Sequence, residues 1–234
     1  MPRLPFITFE GSEGCGKSTQ VRRLAARLET ANVPFLVTRE PGGTSIGESI
    51  RELLQFTPHA SGMKPETELL LFEASRSQLV REIIKPALAR GVCVISDRFF
   101  DSTAVYQGAA RKLDSQMVDR FNAFAVGDCI PDITFILDVD EATAHSRMQK
   151  PRKADRMEQE SPEFYERVRQ AYRELAVRES NRMVLLDGSQ PADQIEKEIW
   201  EKITSRFAMD EGRAPEDASK ASVRGVRRSR MDRD

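Results

Sequence analysis

The chain has 234 residues, enough for one large domain or at most two small ones around a sizeable core. Its formal net charge of −1 gives no global field to draw it to nucleic acid or an anionic membrane, and 31% charged with 39% apolar residues suits a soluble globular enzyme. No apolar run approaches the ~18 residues that span a bilayer, and no leader peptide is expected; three scattered cysteines, Cys15, Cys93 and Cys129, fit a reduced, cytoplasmic setting.

The first predicted strand, Leu4–Phe9, runs into EGSEGCGKST at residues 10–19. Gly11, four residues, then Gly16, Lys17 and Ser18 is the spacing of a phosphate-binding loop, and Val21, Leu24, Ala25 and Leu28 behind it recur at helical period. Glycines there let backbone N–H groups turn inward around an anion at a helix N-terminus. Lys17 is placed to reach the outer phosphates and Ser18 to offer its hydroxyl to magnesium. Cys15 contributes its backbone N–H to the loop more than its sulfur.

A second strand, Phe35–Thr38, ends in Arg39, Pro41, Gly42 and Gly43. A plain tight turn explains the Pro-Gly-Gly, but not the arginines on either side, Arg39 and Arg51, of which at least one is expected to touch a phosphate. A long insertion follows, with helices predicted at about 48–54 and 65–90 and a break at Pro86. Phe72 and Arg76 stand four apart and share a face. Together they would read a nucleobase by stacking and by a hydrogen bond to a carbonyl, but pattern alone favours a core phenylalanine and a solvated arginine.

The third strand, Val92–Ser96, ends at Asp97, placed either to hold magnesium or its waters or to cap the next helix. Arg98 beside it offers paired donors to phosphate oxygens, with a surface salt bridge as the alternative. A fourth strand is predicted at Ile133–Val139 and a fifth at Met183–Leu186. Helices at 141–149 and 163–180 flank the charged stretch KPRKADRMEQESP, and a final amphipathic helix spans 194–207. Beyond Met209 the apolar periodicity stops, so 210–234 reads as a disordered tail. This alternation predicts an α/β fold with a five-stranded parallel sheet and helices on both faces.

Six segments, FEGSEGCGKST, TREPGGTSIGESIR, LLLFEASRSQ, SDRFFDSTAVYQG, PDITFILDV and DRMEQES, stand in the order and at about the spacing found in thymidylate kinases of the bacterial type. The resemblance spans residues 4 to about 207. It implies the P-loop nucleoside monophosphate kinase fold over 1–209, with a short lid at about 150–160. It further implies transfer of the γ-phosphoryl of ATP to dTMP with Mg2+, in a homodimer paired through its long helices.

Carried over by position, Gly11, Ser12, Glu13, Gly14, Cys15, Gly16, Lys17, Ser18 and Thr19 cradle the donor phosphates, with Ser18 and Asp97 at the metal. Glu13 resembles the carboxylate that meets the acceptor 3′-hydroxyl. Phe72 resembles the ring stacked on thymine, Arg76 the donor to its carbonyl, and Thr103 and Gln107 polar contacts to the base. Tyr106 resembles the ring that crowds the ribose 2′ position, and Arg39 and Arg98 the pair at the acceptor phosphate. Family members carry a catalytic arginine either in the loop or in the lid. Gly14 occupies the loop position here, which leaves Arg152, Lys153 and Arg156 of the lid. Pro151 stands before Arg152, a departure from the Arg-Gly expected a few residues ahead of Asp155-Arg156.

Three other readings compete. A UMP, CMP or AMP kinase would share the loop and a basic lid, but would not need Phe72, Arg76 and Tyr106 together. A nucleotide-driven switch would carry an Asn-Lys-x-Asp motif, which RKLD at 111–114 imitates poorly. A basic run near the C-terminus, VRGVRRSRMDR, is too short and too interrupted by acids to predict a nucleic-acid arm.

Overall fold

In the computed structural model, residues 3–57, 62–147 and 160–207 are described. Five parallel strands, β1 (Phe6–Glu10), β2 (Phe35–Arg39), β3 (Cys93–Asp97), β4 (Ile133–Asp138) and β5 (Met183–Asp187), are ordered β2-β3-β1-β4-β5. With helices on both faces, the central strand FITFE is buried at every position. The twofold repeat of a strand divides its side chains: Ile7 and Phe9 join the core under α1 (Lys17–Thr30) and α9 (Ala192–Phe207), while Phe6 faces the opposite layer. Glu10 continues the Phe6 side, which puts a carboxylate inside that layer.

The opposite layer holds α2 (Ser45–Gln55), α3 (Pro65–Leu79), α4 (Lys85–Ala89), α5 (Phe100–Thr103), α6 (Ser115–Val126) and α8 (Pro162–Arg178), with α7 (Glu141–Arg147) following β4. The helix expected at about 65–90 forms, but a π-helical turn at Val80–Ile84 interrupts it just ahead of Pro86. Proline lacks an N–H and its ring crowds the carbonyl four residues back, so widening the preceding turn relieves both faults. A second π-helical segment, Ala104–Ala110, continues α5. The sequence reading did not specify α6, although Asp114 caps it by accepting from the Met117 N–H.

Parallel strands end on one side, so Glu10, Arg39, Asp97, Asp138 and Asp187 reach the same sheet edge, with Arg39 opposite Asp97 and Asp138 opposite Asp187. Residues 150–159 of the expected lid, with Arg152, Lys153 and Arg156, lie outside the described residues, as does the tail 210–234.

Candidate active site

The loop after β1 turns on glycines at positive φ: Gly11 at 132°, Gly14 at 73° and Gly16 at 102°. A Cβ on Gly11 would lie 2.5 Å from the Leu137 carbonyl oxygen of β4, so only glycine lets the loop leave the strand here. Lys17 opens α1 and donates from Nζ to the Gly11 and Ser12 carbonyls at 3.1 and 2.7 Å. Burial and Arg98 press its pKa down, but the net shift is upward, with Cys15, Glu13 and Asp97 opposing them, so it stays a cation.

Ser18 Oγ donates to Asp97 Oδ2 at 2.7 Å. The alternative of Asp97 as a cap for the next helix fails, because α5 has no side-chain cap and begins behind Phe99. A hydroxyl and a carboxylate in contact at the mouth of the loop form a hard-oxygen donor pair that fits magnesium when phosphates and water complete the shell. Among the described residues no three His, Cys, Asp or Glu side chains cluster as an all-protein metal cage.

Arg98 sits at φ 70°, and its side chain is only 13% exposed, which excludes a surface salt bridge. Its guanidinium donates to the Gly11 carbonyl at 3.0 Å and to Glu13 Oε1 at 2.5 Å, and its carbon stands 5.1 Å from the centre of the Tyr106 ring. Ser102 Oγ and the Tyr172 hydroxyl take further bonds at 3.1 and 3.4 Å. Behind them Glu10 accepts from the Phe99 N–H, Ser102 Oγ and the Tyr172 hydroxyl at 2.8, 2.6 and 2.7 Å. Burial, aided by Asp101, raises the Glu10 pKa. Burial likewise raises that of Tyr106, against the pull of Arg98.

Arg76 is a correction to the pattern-based reading. It is not solvated but 1% exposed, the largest fully buried side chain among the described residues. Nε donates to Glu40 at 2.8 Å, Nη1 to Glu73 and Asn122 at 2.6 and 3.1 Å, and Nη2 lies 2.6 Å from Glu40 and 3.4 Å from the Phe99 carbonyl. Burial lifts the Glu40 pKa to about 7 although Arg76 opposes it, while the two carboxylates keep Arg76 firmly protonated against its own burial.

Phe72 lies one turn before Arg76 and is half-buried. Thr103 and Gln107 are buried on the facing segment, and Thr103 Oγ1 has no hydrogen-bond partner.

Arg39 is the exposed counterpart, forked onto Glu48 by two bonds of 2.9 Å. Glu48 also accepts from the Gly43 N–H at 2.7 Å, so the Pro-Gly-Gly turn and the arginine share one carboxylate. Arg51 donates to the Pro41 carbonyl at 3.0 Å.

The loop, Asp97, Arg98, Glu13 and Tyr106 are therefore linked by direct contacts at one sheet edge, with Arg39 at its exposed rim and Arg76, Thr103 and Gln107, beside the half-buried Phe72, at its buried, closed end. Sequence reasoning missed Glu10, Glu40, Glu73, Ser102 and Tyr172. A lone acid at the end of an otherwise apolar strand could have exposed Glu10; Tyr172 arrives from a remote helix with no local signal.

The family model described as thymidylate kinase matches residues 9–199. A thymidylate kinase of Kosmotoga olearia is 45% identical over 194 residues, covering 83% of this chain and 92% of that protein. One of Deinococcus radiodurans is 44% identical over 201 residues, covering 86% and 97%. The crystal structure of thymidylate kinase from Ehrlichia chaffeensis superposes with a TM-score of 0.70 at 37% identity, covering 87% of this chain and 99% of that one.

Proposed function

The chain belongs to the thymidylate kinase family, and on that premise we propose that it transfers the γ-phosphoryl group of ATP to dTMP, giving ADP and dTDP. The observation that carries this reading is the join made by Arg98. One guanidinium touches a phosphate-loop carbonyl, the loop carboxylate Glu13 and the Tyr106 ring. Donor loop and acceptor pocket thus share a cation.

Phosphoryl transfer needs little covalent help from the protein; it needs alignment and positive charge around the equatorial oxygens. Lys17 has its ammonium folded onto loop carbonyls, and a bound β- or γ-phosphate takes their place. Arg39 exchanges Glu48 for the acceptor phosphate, and Arg98 meets the same phosphate from the other side. Glu13 receives the 3′-hydroxyl, and the Tyr106 ring closes the space a 2′-hydroxyl would need. Phe72 stacks on the thymine ring, Thr103 and Gln107 meet its polar edge, and Arg76 gives up its long 3.4 Å bond to the Phe99 carbonyl for a thymine oxygen.

Ser18 and Asp97 would hold magnesium, whose charge, when it is bound, offsets that of the donor phosphates. Gly14 brings no side chain to the loop, so, by resemblance to family members without a loop arginine, the catalytic arginine is assigned to the lid, to Arg152 first and Arg156 second. A homodimer is assigned through α2 and α3, where Ile46, Leu53 and Leu70 stand exposed on neighbouring helices. Three free cysteines suit the cytoplasm.

The deciding experiment is an ADP-release assay with ATP and magnesium across dTMP, dUMP, UMP, CMP and AMP. dTMP should turn over best and dUMP next, since one methyl in an apolar niche is worth roughly 1–3 kcal/mol. A higher kcat/KM for UMP, CMP or AMP would falsify the assignment.

A further inference from the structure

Glu68, Phe72 and Arg76 recur every fourth residue along α3 and so form one stripe on it. The last two serve the base in the reading above; Glu68 has no role there, yet it is 1% exposed. Its carboxylate accepts from Gln107 Nε2 at 2.7 Å and from Arg111 Nε and Nη2 at 3.3 Å each, so both oxygens act as acceptors. Arg111 is itself fixed, paired with Glu160 at 2.5 Å and stacked 4.9 Å from the Phe164 ring centre.

A side-chain amide can present either its NH2 or its carbonyl in a given direction, and only its partners decide which. An acceptor-only carboxylate takes one of the two Gln107 N–H donors and so fixes which end of the amide faces it. The carbonyl Oε1 is then the group Gln107 can offer a ligand. Four residues earlier, Thr103 Oγ1 is buried without a hydrogen-bond partner, so the same segment also carries an unsatisfied hydroxyl.

We infer that Glu68 is a positioning residue for base specificity: by orienting the Gln107 amide it presents an acceptor that pairs with the N3–H of thymine or uracil and repels the bare N3 of cytosine. The inference rests on the dTMP kinase reading and deepens it. With the amide locked, cytosine meets lone pair against lone pair. With the amide able to flip, cytosine N3 accepts a hydrogen bond.

The test compares dTMP with dCMP on the unaltered protein and on Glu68→Gln, whose own amide no longer imposes one orientation. The variant should raise KM for dTMP about tenfold, the loss of one hydrogen bond at a buried site, while kcat falls less than about threefold. Its preference for dTMP over dCMP should shrink at least about tenfold. A preference within about twofold of the unaltered protein's overturns the inference while leaving the parent reading intact. An unaltered protein that does not phosphorylate dTMP overturns both.

A second measurement needs no variant. In the 15N spectrum of the unaltered protein, one Gln107 side-chain amide proton, the one donated to Glu68, should exchange slowly with solvent, and rapid exchange of both would refute the orientation.

Discussion

Arg39 and Arg76 each bind a glutamate beside the same site, and burial separates them. Arg76 lies at 1% exposure between carboxylates exposed by 3% and 7%, whereas Arg39 and Glu48 are 35% and 44% exposed. A sealed charge network is costly to break because each partner left behind is stranded away from water. An exposed pair holds by little, since water screens it and replaces it. The closed end of the site is thus built to keep one shape, and the rim is built to change partners.

The contrast is sharpest in a variant that should destroy catalysis while leaving the fold alone. Lys17→Ala should lower kcat/KM by about a thousandfold, the upper end for losing one electrostatic donor, with far less loss of stability than Arg76→Ala. Activity near that of the unaltered protein would remove the loop from the chemistry.

Arg76→Ala should do the reverse and act first on stability. It strands Glu40 and Glu73 in the interior, and urea unfolding should show a loss of about 3–5 kcal/mol. A loss under about 1 kcal/mol, the order expected of a surface pair, would mean the network is not sealed.

At the rim, Arg39→Ala should cost less than about 1 kcal/mol of stability yet raise KM for dTMP about tenfold. Equal effects on unfolding and on KM would erase the distinction between the two arginines.

The closed end should also show a pH dependence that the rim lacks. Glu40 is raised from 4.5 to about 7 by burial, so between those values the folded protein keeps a proton that the unfolded chain has released. The stability due to this group is greatest below pH 4.5, falls as pH rises and levels off above about 7. Glu40→Gln cannot titrate and should flatten that part of a stability curve taken from pH 5 to 8. An unaltered slope would assign the titration to another group.

Much of this was legible in one dimension because the chemistry depends on local backbone. The phosphate loop needs glycine at set intervals between a strand and a helix, so Gly11, Gly16, Lys17 and Ser18 declared it. The five apolar runs declared the parallel sheet, because strands covered on both faces carry no polar alternation. Asp97 and Arg98 stood at a strand end, where such sheets place their ligands.

What the sequence could not decide was the environment of each charge. Nothing near Arg76 in the chain says that Glu40, Asn122 and the Phe99 carbonyl will close around it, since those partners come from 36, 46 and 23 residues away. Nor does the spacing say that Glu68 will face Gln107 across 39 residues. The sequence by itself determined the loop, the sheet and the residue types of the site, which follow from short-range backbone geometry. Which arginine is sealed, which carboxylate keeps its proton and which way an amide points were decided only by tertiary packing, because burial and long-range partners set the energy of a charge and neither is a property of neighbouring residues.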